Sequence, residues 1–400
     1  MPEPVSSNTT VQAHDPTTAA AAVRGAIDTG IPLVDYGHAH TGLGQPPPQR
    51  HRAFVYTGDN ITHDVRDLVV HIAAGCPLGR LQAELAKTNQ FLPIDADDSL
   101  TLGELVSHNV YGPLRAGYGT LRDRLLGLSF VDGEGRLVKV GGRTVKNVAG
   151  YDVTKLMVGS LGELGVLTEL TLRTATIPSA TMIVDVELEE PQQLDDYQTE
   201  WLTSDAAPAW AVLLRERDTF RLRVGYHGRS SACHAQLRSL ETLSDQMPDV
   251  HVAASQEYDF PTEQRERAGV RAWREAATTA MVKVIVPPAA TGFACQSLAL
   301  TTADEPPRHI EAYPFHGCVF VGGAMNARQA RRLDEQIMHV IQPAGGFRVW
   351  YRRPGDARDI EPFAPQPPDW PLLCEIKRIM DPHAILNPGR YLPGPEREQT

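Results

Sequence analysis

Residues 141–173 read GGRTVKNVAGYDVTKLMVGSLGELGVLTELTLR, and the stretch changes character three times. Lys146 and Asn147 lead through Gly150 into an amphipathic segment over 151–157. Glycines at 159, 162 and 165 follow, so a tight curve carries almost no side chains. From 166 to 173 the pattern alternates, with Val166, Leu170 and Leu172 on one side, as in a half-buried strand. A backbone bared between a short helix and a strand lets a flat or phosphorylated ligand approach main-chain N–H groups. The same spacing also serves a plain packing turn, so spacing alone leaves both uses open.

At 400 residues the chain is long enough for two domains with separate cores. Its 42% hydrophobic and 22% charged residues are ordinary for a globular protein. A net charge of −11 speaks against a nucleic-acid groove and against a polybasic membrane anchor, both of which need clustered positive charge. No apolar run approaches the roughly 20 residues that span a bilayer. The polar start, MPEPVSSNTTVQAHD, lacks the charged-then-apolar order of a signal peptide and reads as a loose leader. The cysteines (Cys76, Cys233, Cys295, Cys318, Cys374) are scattered and never spaced C-x-x-C. That leaves no zinc or iron–sulfur framework and suits a reducing, cytoplasmic setting. Cys374 has apolar neighbours and is expected in a core.

Three blocks follow from the patterning. In the first, 17–29 predicts a helix and 31–35 a buried strand, with a further strand over 68–74 stopped by Gly75. Pro77 starts a helix with Leu78, Leu81 and Leu85 on one face. Segments 125–130 and 137–140 flank Asp132-Gly133-Glu134-Gly135, a hairpin signal. The second block alternates strand (182–188), hairpin (210–215 with 220–226), helix (232–243) and strand (282–286), which predicts an antiparallel sheet backed by helices. In the third, PQPPDWP over 365–371 is a stiff connector, then 372–379 reads as a helix.

The wording of the opening stretch says more than its spacing. KNVAGYD followed by GSLGELGVLTE resembles the FAD-linked oxidases of the vanillyl-alcohol-oxidase type, and within them the E-type FAD-binding subunit of bacterial glycolate oxidase. The closing DPHAILNPGR (381–390) matches the Asp-Pro … Asn-Pro-Gly-Arg/Lys ending of the same oxidases. The resemblance covers 31–180 well and 344–391 in part, while the middle block agrees only in its order of elements. It implies an α+β chain with a PCMH-type two-subdomain FAD-binding domain over 1–180. An α+β cap would be inserted over 181–345 and a proline-rich connector over 346–371. Residues 372–400 would then return to the FAD domain. In that fold the 141–173 stretch folds back on the flavin, which makes Gly162, Gly165 and Val166 cofactor-binding candidates, joined by Asn387 from the closing segment.

Two further stretches fit the same frame. DYGHAHTGLG (35–44) follows a strand, and successive N–H groups in such a loop converge on anions. By resemblance it wraps the FAD pyrophosphate, with Gly37 at the close approach. His38 stands where some relatives bond the flavin 8α-methyl; otherwise it polarises a phosphate or meets solvent. Asp35 departs from the family pattern and would repel a pyrophosphate unless it turns away. The second stretch, 100–123, resembles the family's T-L-G-G … G-P-R-R … G-S-V-R-D segment. Here Thr101, Gly103, Arg122 and Asp123 are candidate FAD contacts, while Gly112, Pro113, Arg115 and Gly119 also match. Glu104 replaces the second glycine. Either Thr101-x-x-Glu104 forms a capping box that bends the carboxylate back to the Thr101 N–H, or the phosphate site has lost its function.

Catalytic flavin subunits acting on 2-hydroxy acids in this superfamily carry paired cap histidines with a carboxylate. His227, His234, His251, His309 and His316 form no such pair in sequence and read as surface side chains. Phe347 stands after Gly345-Gly346 where the related subunit has histidine, so no catalytic residue is assigned. The resemblance implies a subunit of a glycolate-oxidase-like complex that oxidises a 2-hydroxy acid to the 2-keto acid. Electrons would pass to an iron–sulfur partner subunit, beside a second flavin subunit. The setting implied is cytoplasmic, peripheral to the membrane only through partners. The alternative is a non-catalytic assembly or electron-relay subunit with weak or lost FAD binding.

Overall fold

A computed structural model describes residues 10–35, 48, 50–142, 152–216, 219–247, 250–270, 280–300 and 308–392. The chain divides into two compact units. The first comprises Met1–Tyr111, Gly119–Thr176 and Gln366–Thr400; the second comprises Gly112–Tyr118 and Ile177–Pro365.

The first unit opens with β1 (Val11–Ala13) and a helix, Pro16–Thr29. Asp15 starts that helix by accepting from the Thr17 and Thr18 amides at 2.7 and 2.8 Å. Pro16 sits in the first turn, where its missing N–H costs nothing, and Gly30 closes the helix in the left-handed conformation. Ala19, Ala20, Val23 and Ala26 are the buried stripe, sharing a core with Leu33, Phe54, Ile385 and Leu386. Next come β2 (Leu33–Asp35), β3 (Arg52–Tyr56), β4 (Ile61–Asp64), β5 (Val69–Ala73) and β6 (Gln90–Phe91). They are followed by β7 (Leu125–Val131), β8 (Leu137–Gly141), β9 (Val166–Arg173) and β10 (Ala175–Thr176). One sheet is parallel, in the order β1-β3-β2. A second is antiparallel, in the order β4-β5-β9-β7-β8, and β6 pairs with β10.

The helix Leu78–Ala86 buries Leu78, Leu81 and Leu85, as their spacing requires, in a core with Val70, Ile72, Leu128, Leu170 and Leu172. The helix Trp370–Met380 brings the C-terminal segment back to the parallel sheet. There the Leu33 N–H donates to the Ile385 carbonyl at 2.8 Å and the Asn387 N–H donates to the Leu33 carbonyl at 3.0 Å. Cys374, on that last helix, is half-buried.

The second unit continues with β11 (Ala180–Leu188), β12 (Trp210–Glu216), β13 (Thr219–Gly228), β14 (Val250–Tyr258) and β15 (Ala280–Ile285). It ends with β16 (His309–Tyr313), β17 (Cys318–Gly323), β18 (Phe347–Arg352) and β19 (Phe363–Ala364). They form one antiparallel sheet in the order β14-β11-β13-β12-β16-β17-β15-β18-β19. The helices Ser230–Ser244 and Ala327–Ala344 contribute Cys233, Leu240, Leu333 and Ile337 to a core with Leu213, Val282 and Trp350. Residues 346–371 hold β18 and β19 besides their prolines. The run FRVWYR is rich in strand formers, and its Trp350 is fully buried beside Val282. Residues Gly112–Tyr118 group with this sheet too, through a Gly117 N–H donated to the Ala209 carbonyl at 2.8 Å. Among the described residues no helix is long and apolar enough to cross a membrane.

Candidate functional site

In the first unit a cleft is bordered by β2, β3, the helix Leu102–Ser107, the glycine turn 162–165 and the closing segment. Thr101, Gly103, Gly162, Gly165, Val166 and Asn387, all singled out from sequence, line it. Leu33, Phe54, Leu167 and Leu386 supply apolar wall, and Asp35, Tyr56, Glu104 and Ser107 supply polar atoms. Gly37 and His38 lie outside the described residues, as do Lys146 and Asn147.

The helix at the cleft begins with a reciprocal cap. The Thr101 N–H and hydroxyl both donate to Glu104 Oε2, at 2.7 and 2.9 Å, and the Glu104 N–H donates to Thr101 Oγ1 at 3.2 Å. The carboxylate therefore bends back as the capping-box pattern requires. Its Oε1 is buried and has no hydrogen-bond partner among the described residues. Gly103 donates its N–H to the Ala74 carbonyl at 2.7 Å, and a Cβ there would come to 3.1 Å from the same oxygen. At the far end of the helix the Leu161 N–H donates to the Ser107 carbonyl at 2.8 Å and the Gly159 N–H to Val106 at 3.0 Å. Cap and glycine turn are thus joined by backbone. Burial holds the neighbouring His108 imidazole below its ordinary pKa.

Asn387 joins three strands of chain at one point. Its Oδ1 accepts from the Asp35 N–H at 2.7 Å, and its Nδ2 donates to the Leu161 carbonyl at 2.8 Å. A side chain on Gly162 would collide with that Nδ2, and Gly165 has no room because Phe130 and Met157 lie against it. Behind the turn, Lys377 Nζ donates to the Glu163 carbonyl (2.6 Å), Asp381 Oδ2 (2.7 Å) and the Leu386 carbonyl (2.8 Å). The Glu163 carboxylate accepts from the Tyr391 N–H at 2.5 Å and from the Leu392 N–H at 3.3 Å; burial pushes its pKa up to about 7. Burial, with Glu169 and Asp15 adding to it, pushes the Tyr56 phenol up to about 12.

Arg122 and Asp123 are not among the lining residues. Both are exposed on the one-turn helix Leu121–Arg124, where Asp123 caps the Thr120 N–H at 2.8 Å. Its neighbour Arg124 is the buried one, donating to the Thr174 carbonyl at 3.1 Å. The T-x-x-D pattern of 120–123 repeats the T-x-x-E pattern of 101–104 and was the signal for that structural use of Asp123.

In the second unit, one of the histidines read as surface side chains has a buried side chain and another, His316, is half-buried. His227 has a side chain only 3% exposed, with Nε2 3.4 Å from Glu263 Oε1 and Nδ1 2.9 Å from the Tyr118 hydroxyl. Burial lowers His316 to about 4, and Arg115 adds to the effect.

The cleft offers bare main chain at its glycines, apolar walls and carboxylate acceptors, one of them an orphaned buried oxygen. That set suits a ligand with flat apolar faces and hydroxyl groups, which FAD has.

A family model for an FAD binding domain matches residues 8–141. Glycolate oxidase subunit GlcE of Escherichia coli (strain K12) is 33% identical over 189 residues, 45% of this chain and 52% of GlcE. The mitochondrial cytochrome D-lactate dehydrogenase of Arabidopsis thaliana is 36% identical over 119 residues, 30% of this chain and 21% of the plant protein. The chain thus spans about half of one relative and a fifth of the other. Among solved structures, Acremonium strictum glucooligosaccharide oxidase superposes with a TM-score of 0.71 at 13% identity, covering 96% of this chain and 90% of that one. The chain therefore has the α+β fold of that oxidase, and residues 8–141 carry an FAD binding domain, with FAD as cofactor.

Proposed function

We propose that this chain is the FAD-binding subunit of a glycolate-oxidase-like complex, an FAD-dependent oxidoreductase that converts a 2-hydroxy acid to the 2-keto acid. The observation that carries the reading is the convergence of Thr101, Gly103, Gly162, Gly165, Val166 and Asn387 on one cleft from three distant stretches of sequence. The matches to a glycolate oxidase subunit and to a D-lactate dehydrogenase, both acting on 2-hydroxy acids, support the substrate class. Bound FAD supplies the two-electron acceptor for the C2–H hydride while the hydroxyl proton leaves to a base.

The chain's own residues hold and position the cofactor. Gly103 and the turn at Gly162 and Gly165 would present main chain to it, and Val166, Leu167 and Phe54 would form its apolar wall. Asn387 fixes the turn to the strand end at Asp35. Gly37 and His38 are assigned to the pyrophosphate by the resemblance alone, as are Arg122 and Asp123, which do not line the cleft. Residues 1–180 and 372–400 form the FAD domain, and 181–345 the cap. The partners are an iron–sulfur subunit, which takes the electrons, and a second flavin subunit. The complex is cytoplasmic and reaches the membrane only through those partners.

This chain purified apart from its partners carries oxidised-flavin absorbance, and anaerobic glycolate or D-lactate bleaches both flavins of the reassembled complex. A colourless preparation that takes up no added FAD would sink the reading. Flavin that no 2-hydroxy acid reduces, in a complex that still assembles, would establish a non-catalytic assembly or relay subunit instead.

A further inference from the structure

Glu104 occupies a position in the cleft wall that the resembled oxidases give to glycine, and its carboxylate is only half engaged. Oε2 is committed to Thr101 by two hydrogen bonds, which fix the plane of the group. Oε1 is buried without a partner among the described residues, on a residue 4% exposed that lines the cleft. A carboxylate oxygen removed from water loses free energy until a donor reaches it. The Glu104 N–H is committed as well, to Thr101 Oγ1 at 3.2 Å, so this turn of helix offers a phosphate no amide at residue 104. A buried carboxylate oxygen with no donor repels phosphate and attracts a hydroxyl donor.

We propose that Glu104 Oε1 accepts a hydrogen bond from a sugar-type hydroxyl of FAD, so that this cleft holds a hydroxyl-bearing stretch of the cofactor and the phosphates lie away from Glu104. The proposal rests on FAD being the ligand. Glu104 is a positioning residue for the cofactor, and the glycine-to-glutamate replacement re-equips the site rather than disabling it.

The test is titration of apo-protein with FAD, followed by flavin fluorescence, for wild type, E104A and E104Q. E104A weakens FAD about tenfold or more, the scale of one charge-assisted hydrogen bond. E104Q keeps an oxygen for the Thr101 cap but turns an amide donor to the cleft, and it weakens FAD several-fold. Were a phosphate beside residue 104, that new donor would tighten FAD; equal or tighter binding by E104Q overturns the proposal. If circular dichroism shows E104A unfolded, E104Q decides alone. Riboflavin carries only the ribityl hydroxyls and ADP only the ribose hydroxyls, so the ligand that shares the E104Q loss identifies the source. A loss shared by neither overturns the proposal. Wild-type protein that binds no FAD overturns the cofactor reading and this proposal together; wild-type binding with an indifferent E104Q overturns this proposal alone.

Discussion

The Asn387 side chain clamps Leu161 to the end of β2: its Nδ2 donates to the Leu161 carbonyl at 2.8 Å while its Oδ1 accepts from the Asp35 N–H at 2.7 Å. The residue is 5% exposed and sits at a positive φ of 40°, a conformation that asparagine tolerates better than other residues with a side chain. Asn387→Ala would orphan two backbone groups and strain a third. We expect a loss of roughly 2–4 kcal/mol in stability, with flavin content falling in parallel. Denaturant unfolding and the ratio of flavin to protein absorbance check both, and an N387A protein with native melting and full flavin would refute the clamp.

Gly162→Ala attacks the same clamp from the other side. The added methyl collides with Asn387 Nδ2, and the backbone there holds a φ of 71°. The expected cost is about 1–3 kcal/mol. Gly142, also in the opening stretch, has open space around a would-be Cβ and serves as the control, since G142A should leave melting unchanged.

Glu163 makes the closing segment sensitive to pH. Its folded pKa of about 7 lies above the ordinary carboxyl value of 4.5, so between those values the folded protein holds a proton that the unfolded chain has released. The contribution to stability is fully present below about pH 4.5 and is lost as pH rises through 7. The groups facing it are Lys377, which opposes the shift, and the N–H groups of Arg390, Tyr391 and Leu392. Glu163→Gln should flatten the pH dependence of amide exchange in the 385–392 segment, after correction for intrinsic exchange rates. An unchanged slope in E163Q would assign that dependence elsewhere.

Local signals carried much of this structure. Asp15-Pro16 and Gly30 bracket the first helix, Leu78, Leu81 and Leu85 mark one buried face, and Thr101-x-x-Glu104 closes as written. The cleft was legible on its glycine side, because bare turns and their wording are local properties. Its opposite wall, Leu33, Phe54 and Tyr56, was not, since parallel pairing of β2 with β3 brings together residues that no short pattern links. The same holds for Lys377, whose three acceptors include a carbonyl more than 200 positions away in sequence. His227 looked like one of several scattered histidines because its partners, Tyr118 and Glu263, come from a distant turn and a distant helix.

That buried group in the second unit yields the last prediction. Glu263 and Arg267 lie one turn apart on the helix Phe260–Val270, with side chains 0% and 4% exposed. Arg267 donates to Glu263 from Nε at 2.8 Å and from Nη2 at 3.3 Å. Such a pair contributes little relative to an apolar replacement, because desolvation offsets the attraction, yet breaking it takes the Glu263 carboxylate away from a buried guanidinium. Glu263→Ala should therefore cost about 3–5 kcal/mol. Replacing both residues by Met removes the two charges together, and the E263M/R267M double variant should recover most of that loss even though His227 forfeits a neighbour. Denaturant unfolding of the intact chain compares the two. A double variant as unstable as E263A would mean that the pair holds the helix by directed bonding, through His227 to Tyr118, rather than by mutual neutralisation.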